Sequence, residues 1–372
     1  MRSWLVRFGR IVPTIAALAM MIALGGACGR SLFSNASSSP TATNTPAAGA
    51  FLYVTNNTDG TISEFSRDQS SGALTPVGTA SSGAANGPLG IATAPSGQFL
   101  YVVNTADNVH EFSINDTTGE LSSTANIGAG SAPQWIAINP KGTFAYVTNL
   151  ADGTISQYRV NSGSLAANGT ATLPAGTTPF GAVATANFLY VADSRKGVML
   201  NLAIGSDGQL TSLSPTTASA NPGIVVIDPS GRFVYVSDLR FGLVSFFTIA
   251  GGRLVFQISY PTSATGTPAV GLALAAPSNG NRFLYVANQS AGTLSLYTMS
   301  SSSGLLTQPI LAASGLNGPT GLAVDSSGKS LYVTNQSGAT ITRYTIDTSG
   351  GGLTNSASVA TGNGPAFMAI SD

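Results

Sequence analysis

The chain has 372 residues, with 15 basic and 15 acidic groups, a formal net charge of zero, 8 % charged side chains and 43 % hydrophobic ones. So few charges and 44 glycines argue against ordinary surface helices, which draw on Glu, Lys, Ala and Leu, and for short strands joined by many turns. Arg2, Arg7, Arg10 and Arg30 precede residue 51 and every acidic residue follows it, leaving 11 basic against 15 acidic groups beyond that point; without a basic stripe to neutralise phosphates, nucleic-acid binding is excluded.

Residues 1–27 read as a secretory signal peptide: arginines, an apolar run from Ile11 to Leu24, then Gly25, Gly26 and Ala27. The run is short for a membrane span. Cys28 is the only cysteine, and its place after these small residues resembles a bacterial lipobox, although Gly25 stands where leucine is usual. Two readings follow: acylation of Cys28, or plain cleavage after Ala27. Residues 28–50, rich in Ser, Thr, Pro, Asn and Ala, form a flexible tether. Any membrane contact would run through the lipid on Cys28 alone, and the chain is expected to be periplasmic, extracellular or membrane-anchored.

From Phe51 to Asp372 the sequence repeats. Residues Pro133–Leu165 show the unit: β-type runs at Trp135–Ile138, Phe144–Thr148 and Thr154–Val160, and a fourth opening at Leu165. Asn139-Pro140-Lys141-Gly142 and Ala151-Asp152-Gly153 supply the turns between them. Seven Tyr-Val pairs mark seven copies, at Tyr53, Tyr101, Tyr146, Tyr190, Tyr235, Tyr285 and Tyr332, a period of about 46 residues. A helical repeat of that length would show 3.6-residue periodicity, which is missing. Each copy has a proline at its first strand (Pro88, Pro133, Pro179, Pro222, Pro268, Pro319, Pro365), where a missing N–H costs the ladder least. A Gly-x-Leu signal starts each fourth strand, as at Gly119–Leu121 and Gly163–Leu165.

The ends are out of phase. The repeats begin with a second strand at Phe51 and finish with a lone first strand at residues 365–371, so the C-terminal strand should complete the blade of residues 51–79. This predicts an all-β, seven-bladed propeller with four antiparallel strands per blade, closed so that no inner edge is left bare.

The Tyr-Val-x-Asn core, the proline-opened strand and Gly153-Thr-Ile-Ser-Gln-Tyr158 resemble the YVTN-repeat propellers and the seven-bladed lactonase-like family, which includes 6-phosphogluconolactonase-like proteins. That resemblance implies the fold and, for some members, hydrolysis of a sugar lactone. It also implies His and Arg residues after the strand-opening prolines and an acid after the second-strand Asn. Here the prolines precede residues such as Leu89, Gln134, Phe180 and Thr320, and the Asn residues precede Asn57, Thr105, Leu150, Gln289 and Gln336. The leading expectation is therefore a ligand- or protein-binding module; the alternatives are a lactone hydrolase and a structural envelope protein.

Six residues stand out as ligand-binding candidates. Asp193-Ser-Arg195 and Asp238-Leu-Arg240 replace the usual Asn in consecutive copies and pair an acid with an arginine in the turn after the second strand, a charge-assisted grip for an anionic or lactone-bearing molecule. Trp135 and Phe180, with Phe367, offer an apolar or sugar-stacking surface at the start of first strands. The other Asn residues of that column read as turn caps. His110, the single histidine, sits in a third strand with Glu111 on the opposite face, so the two do not cooperate and His110 reads as a filler between blades. No ligand pattern for a metal or cofactor is present, and catalytic residues are left unassigned.

Overall fold

The structure, a computed structural model, describes residues 49–83, 87–263 and 267–371. The leader and Cys28 lie outside the described residues. Gly49 and Ala50, read from sequence as the end of the tether, belong to the fold: the Gly49 N–H donates to the Asp116 carbonyl, and buried Ala50 accepts from the Arg67 N–H.

Seven four-stranded antiparallel sheets surround one axis. In blade order, their innermost strands are Pro365–Ser371, Pro88–Thr93, Pro133–Ile138, Pro179–Ala184, Pro222–Ile227, Ala269–Ala275 and Pro319–Val324. Blade 1 is the composite expected from sequence. Pro365–Ser371 pairs with Phe51–Asn56, matching Phe51 to Ser371 and Tyr53 to Ala369, and Thr61–Arg67 and Leu74–Ser81 complete the sheet. One register differs from the reading by prolines: Ala269, not Pro268, faces Asn288, so blade 6 carries one extra residue before its first strand. Outer strands break where proline withholds an N–H. Pro215 separates Leu210–Ser212 from Thr216–Thr217, and Pro309 stands just before the short Ile310–Ala313.

The repeat signatures are inter-blade fasteners. Every Tyr of a Tyr-Val pair is buried, and its hydroxyl donates to the carbonyl of the Gly in the next blade's Gly-x-Leu: Tyr53 to Gly119 at 2.8 Å, Tyr101 to Gly163 at 2.7 Å, and Tyr332 across the closing seam to Gly72 at 2.7 Å. The bond serves all seven blades. Burial raises these phenols, Tyr190 and Tyr332 to about 12, so they stay neutral donors at any ordinary pH. The Leu N–H of Gly-x-Leu finds a side chain of the preceding blade, as in Leu121 N to Glu64 Oε1 at 3.2 Å, Leu165 N to Glu111 Oε2 at 3.1 Å and Leu210 N to Gln157 Oε1 at 2.8 Å. A blade without a neighbour would leave these groups unpaired, which is why the unit exists only in a ring.

A second device acts at the axis. Each innermost strand carries a β-bulge just after its first residue, as between Pro88 and Ile91 against Asn104 and Val102. Glycine stands in five of these bulged segments, and neighbouring backbones close on it: a Cβ on Gly271 would collide with the Thr320 carbonyl, and one on Gly181 with the Gly223 carbonyl. Hydroxyls fasten the bulges as well. Thr334 Oγ1 accepts from Gly321 N at 2.7 Å and donates to Ala366 O at 2.9 Å; Thr148 Oγ1 donates to Phe180 O at 2.7 Å.

Candidate functional site

The innermost strands start on one face of the ring, here called proximal, and end on the other, distal, face. The turns holding Asp193 and Asp238 are proximal, because those residues pair with Pro179 and Pro222. Both carboxylates are fully buried and cap their own turns. Asp193 Oδ1 accepts from the N–H groups of Thr178, Arg195 and Lys196 at 3.1 to 3.2 Å; Asp238 Oδ1 accepts from Arg240 N at 2.8 Å and Phe241 N at 2.6 Å, and its Oδ2 from Asn221 N at 3.1 Å. Arg195 and Arg240 are exposed, the latter lying 5.0 Å above the Phe241 ring, and neither pairs with its aspartate. Among the described residues the one ion pair is Arg67 with Asp325, 3.6 Å apart on the seam between blades 7 and 1.

Trp135, Phe180 and Phe367 do meet near the axis, but as core. Trp135 and Phe367 stand edge to face at 6.4 Å, and all three belong to the largest buried cluster together with Leu89, Ile224 and Val270. The proximal mouth is therefore filled. Asn56, Asn149, Asn288 and Asn335 act as caps, each donating from Nδ2 to hydroxyls of its third strand, such as Asn149 to Thr154 at 2.9 Å and Ser156 at 3.0 Å. His110 takes the place of that serine. Its Nδ1 lies 2.8 Å from Ser82 O and its Nε2 2.7 Å from Ser123 Oγ; the carbonyl requires a proton on Nδ1, and the ring is bound to the connection between blades 1 and 2. Glu111 points away to Leu165, and burial raises its carboxyl above the usual range.

The open space lies at the other end. A cavity of about 420 Å³ occupies the distal axis, floored by Trp135 and Ile91 and reaching the exposed turn residues Pro95, Pro140 and Pro229. Around it, Ile138, Ile227, Leu274 and Val324 form a half-buried apolar collar at or next to the last positions of their strands. Asn139, Asp228 and Asp325 follow as turn caps: Asp228 Oδ1 accepts from Arg232 N at 2.9 Å and Phe233 N at 2.8 Å, and its Oδ2 from Ser230 N and Oγ at 3.0 and 2.5 Å. Arg282, half-buried in the turn between the first two strands of blade 6, brings the cation of the cavity; its Nη1 donates to Asn281 O at 2.8 Å. Arg282, Asp228 and Asp325 are absent from the sequence-derived candidates. Their signal was the set of first turns, where Lys141, Arg232, Arg282 and Lys329 recur.

A cation above an apolar floor in one cavity, with two turn-capping carboxylates at the rim, has the parts for holding and polarising a carbonyl. The fold is shared widely. A Bacteroides fragilis protein provisionally assigned as a 6-phosphogluconolactonase is 19 % identical, with a TM-score of 0.76 over 90 % of this chain and 100 % of its own. The Pseudomonas aeruginosa periplasmic gluconolactonase PpgL is 20 % identical, with a TM-score of 0.75 over 87 % of this chain and 99 % of its own. No curated protein sequence matches the chain. The family model described as lactonase, 7-bladed beta-propeller, matches residues 33–127, 104–271 and 257–370, and with seven blades and their fasteners in place the chain belongs to that family.

Proposed function

We propose that the protein is an exported lactone hydrolase working in the distal axial cavity. The observation that carries this reading is the convergence of Arg282 with Asp228 and Asp325 on the cavity at the centre of a lactonase-family propeller. A lactone lying on the apolar floor presents its carbonyl oxygen to the Arg282 guanidinium, which stabilises the charge that grows there. Water entering from the open mouth adds to the carbonyl carbon, one of its protons passes to the ring oxygen as the ring C–O bond breaks, and the hydroxy acid so formed loses its remaining acidic proton to solvent and leaves as a hydroxy-carboxylate. Export rests on the leader-like residues 1–27 and agrees with the periplasmic setting named for PpgL; a lipid on Cys28 would hold the propeller at a membrane.

The test is turnover of a panel of five- and six-membered lactones, sugar-derived and alkyl-substituted, above the spontaneous rate. Arg282→Ala is expected to lower kcat about 100-fold, the usual scale for losing an oxyanion donor, while Arg195→Ala and Arg240→Ala leave it unchanged. If no lactone is opened, the reading is wrong; if turnover falls with the proximal arginines instead, the site lies on the other face.

A binding-module reading has one observation of its own. Val255, Phe256 and Ile258 on the outer strand of blade 5, and Leu305, Ile310 and Leu311 in blade 6, are exposed on adjacent blades.

A further inference from the structure

We infer that the distal cavity selects lactones bearing an aliphatic substituent, and their ring-opened hydroxy-carboxylates, over polyhydroxylated sugar lactones. This rests on the proposed hydrolase reading and concerns the substrate class of the same site.

Two features of the lining carry it. The first is the collar: Ile138, Ile227, Leu274 and Val324 stay partly exposed at the mouth although they are apolar and close to the ends of strands whose earlier residues are buried. Partly exposed aliphatic carbon around a cavity gains by covering itself with carbon from a ligand, and a sugar offers mostly hydroxyls.

The second is the state of the polar groups. A polyol needs a partner for each hydroxyl that it takes out of water. Here the polar rim already serves the turns. Thr93 Oγ1 donates to Ile370 O at 3.0 Å, Asn139 accepts from Thr143 N at 2.8 Å and Phe144 N at 3.0 Å, and Thr185 Oγ1 is closed onto Phe188. Asp228 accepts four donors, and Asp325 accepts from Lys329 N and Ser327 Oγ at 2.9 Å while facing Arg67. Arg282 is different, since its one hydrogen bond among the described residues, to Asn281 O, uses Nη1 and leaves the rest of its donor fork for a ligand. A ligand with one demanding oxygen group and a carbon body fits such a lining. The product fits it too, because its carboxylate meets the guanidinium while its chain covers the collar.

The floor supplies a reporter. The chain has two tryptophans, Trp4 in the leader and Trp135 in the cavity, so a Trp4→Phe background leaves Trp135 as the single emitter. The experiment compares kcat/KM for δ-decalactone and glucono-δ-lactone on that background. It also follows Trp135 fluorescence as 5-hydroxydecanoate or gluconate is added, with and without Arg282→Ala. The expected result is at least a tenfold preference for the alkyl lactone, with quenching by 5-hydroxydecanoate that weakens at least tenfold in Arg282→Ala. Equal or greater kcat/KM for glucono-δ-lactone overturns the substrate class and leaves the hydrolase reading standing. Turnover of neither lactone overturns both, and an unchanged Trp135 signal with the alkyl product removes the ligand from this cavity.

Discussion

The two ends of the axis are built from the same seven strands and have opposite characters. At the proximal end the bulges tip each strand start toward its neighbour, glycine carries backbone against backbone, and Phe367, Leu89 and Ile224 are buried without remainder. At the distal end the strands finish in capped turns and leave about 420 Å³ open below a half-buried collar. One end holds the ring together, and the other has room for chemistry. The lesson is that a polar or aromatic candidate gains meaning only once its end of the strand is known.

The sharpest way to break this comparison is to empty the proximal end. Phe367→Ala removes a fully buried ring from the latch strand, and unfolding followed by denaturant should show a loss of about 3–5 kcal/mol. A loss below about 1 kcal/mol would mean that the proximal packing is dispensable and the two ends are not so different. The seam offers a smaller probe. Tyr332→Phe deletes the donor to Gly72 and should cost about 1–3 kcal/mol, since the buried carbonyl is left without its partner. Tyr101→Phe, which breaks the same bond within the ring, should cost a similar amount; a much larger effect at Tyr332 would single out closure as the weak joint.

How much of this was legible follows from where each contact lies in the chain. The blade count, the strand phase at the two ends and the latch of residues 365–371 could be read from spacing, because period and phase are properties of one copy repeated. The Tyr-Val and Gly-x-Leu signals were equally visible, yet their union was not, since Tyr53 and Gly119 are 66 residues apart and meet only when blades are stacked. Pro268 misled by one position because a proline beside the strand looks the same in sequence as a proline in it. At the candidate site, Asp193 and Asp238 attracted notice as departures from an asparagine column, whereas Asp228 and Asp325 break no such column. Nothing in a linear reading tells which turn borders a void.

Arg282→Ala turns the comparison to function. Its guanidinium lies at the open end with a single partner among the described residues, the Asn281 carbonyl, so stability should change by no more than about 0.5 kcal/mol while lactone turnover collapses. The pairing of a large stability change at Phe367 with an activity change alone at Arg282 is what the two-ended description demands. The reverse pattern would invert it.

The smallest expected effect is at neither mouth but between blades, and its sign is set by burial. Glu64 accepts from Leu121 N, and burial, the larger influence, raises its carboxyl above the usual range despite that bond. A carboxyl raised on folding stabilises the fold most when protonated, and that contribution is lost as pH rises through the folded value. Above that folded value the wild-type protein holds a charge that burial disfavours. Glu64→Gln keeps an acceptor for Leu121 without the charge, as Gln157 already does for Leu210 at 2.8 Å in blade 3. The variant should melt slightly higher than wild type where Glu64 is ionised, and the gap should close on acidification through its raised folded value. A lower melting temperature where Glu64 is ionised would show that the charge-assisted bond to the blade 2 amide outweighs the cost of burial, and the glutamates of blades 1 and 2 would then count as stronger fasteners than the glutamine of blade 3.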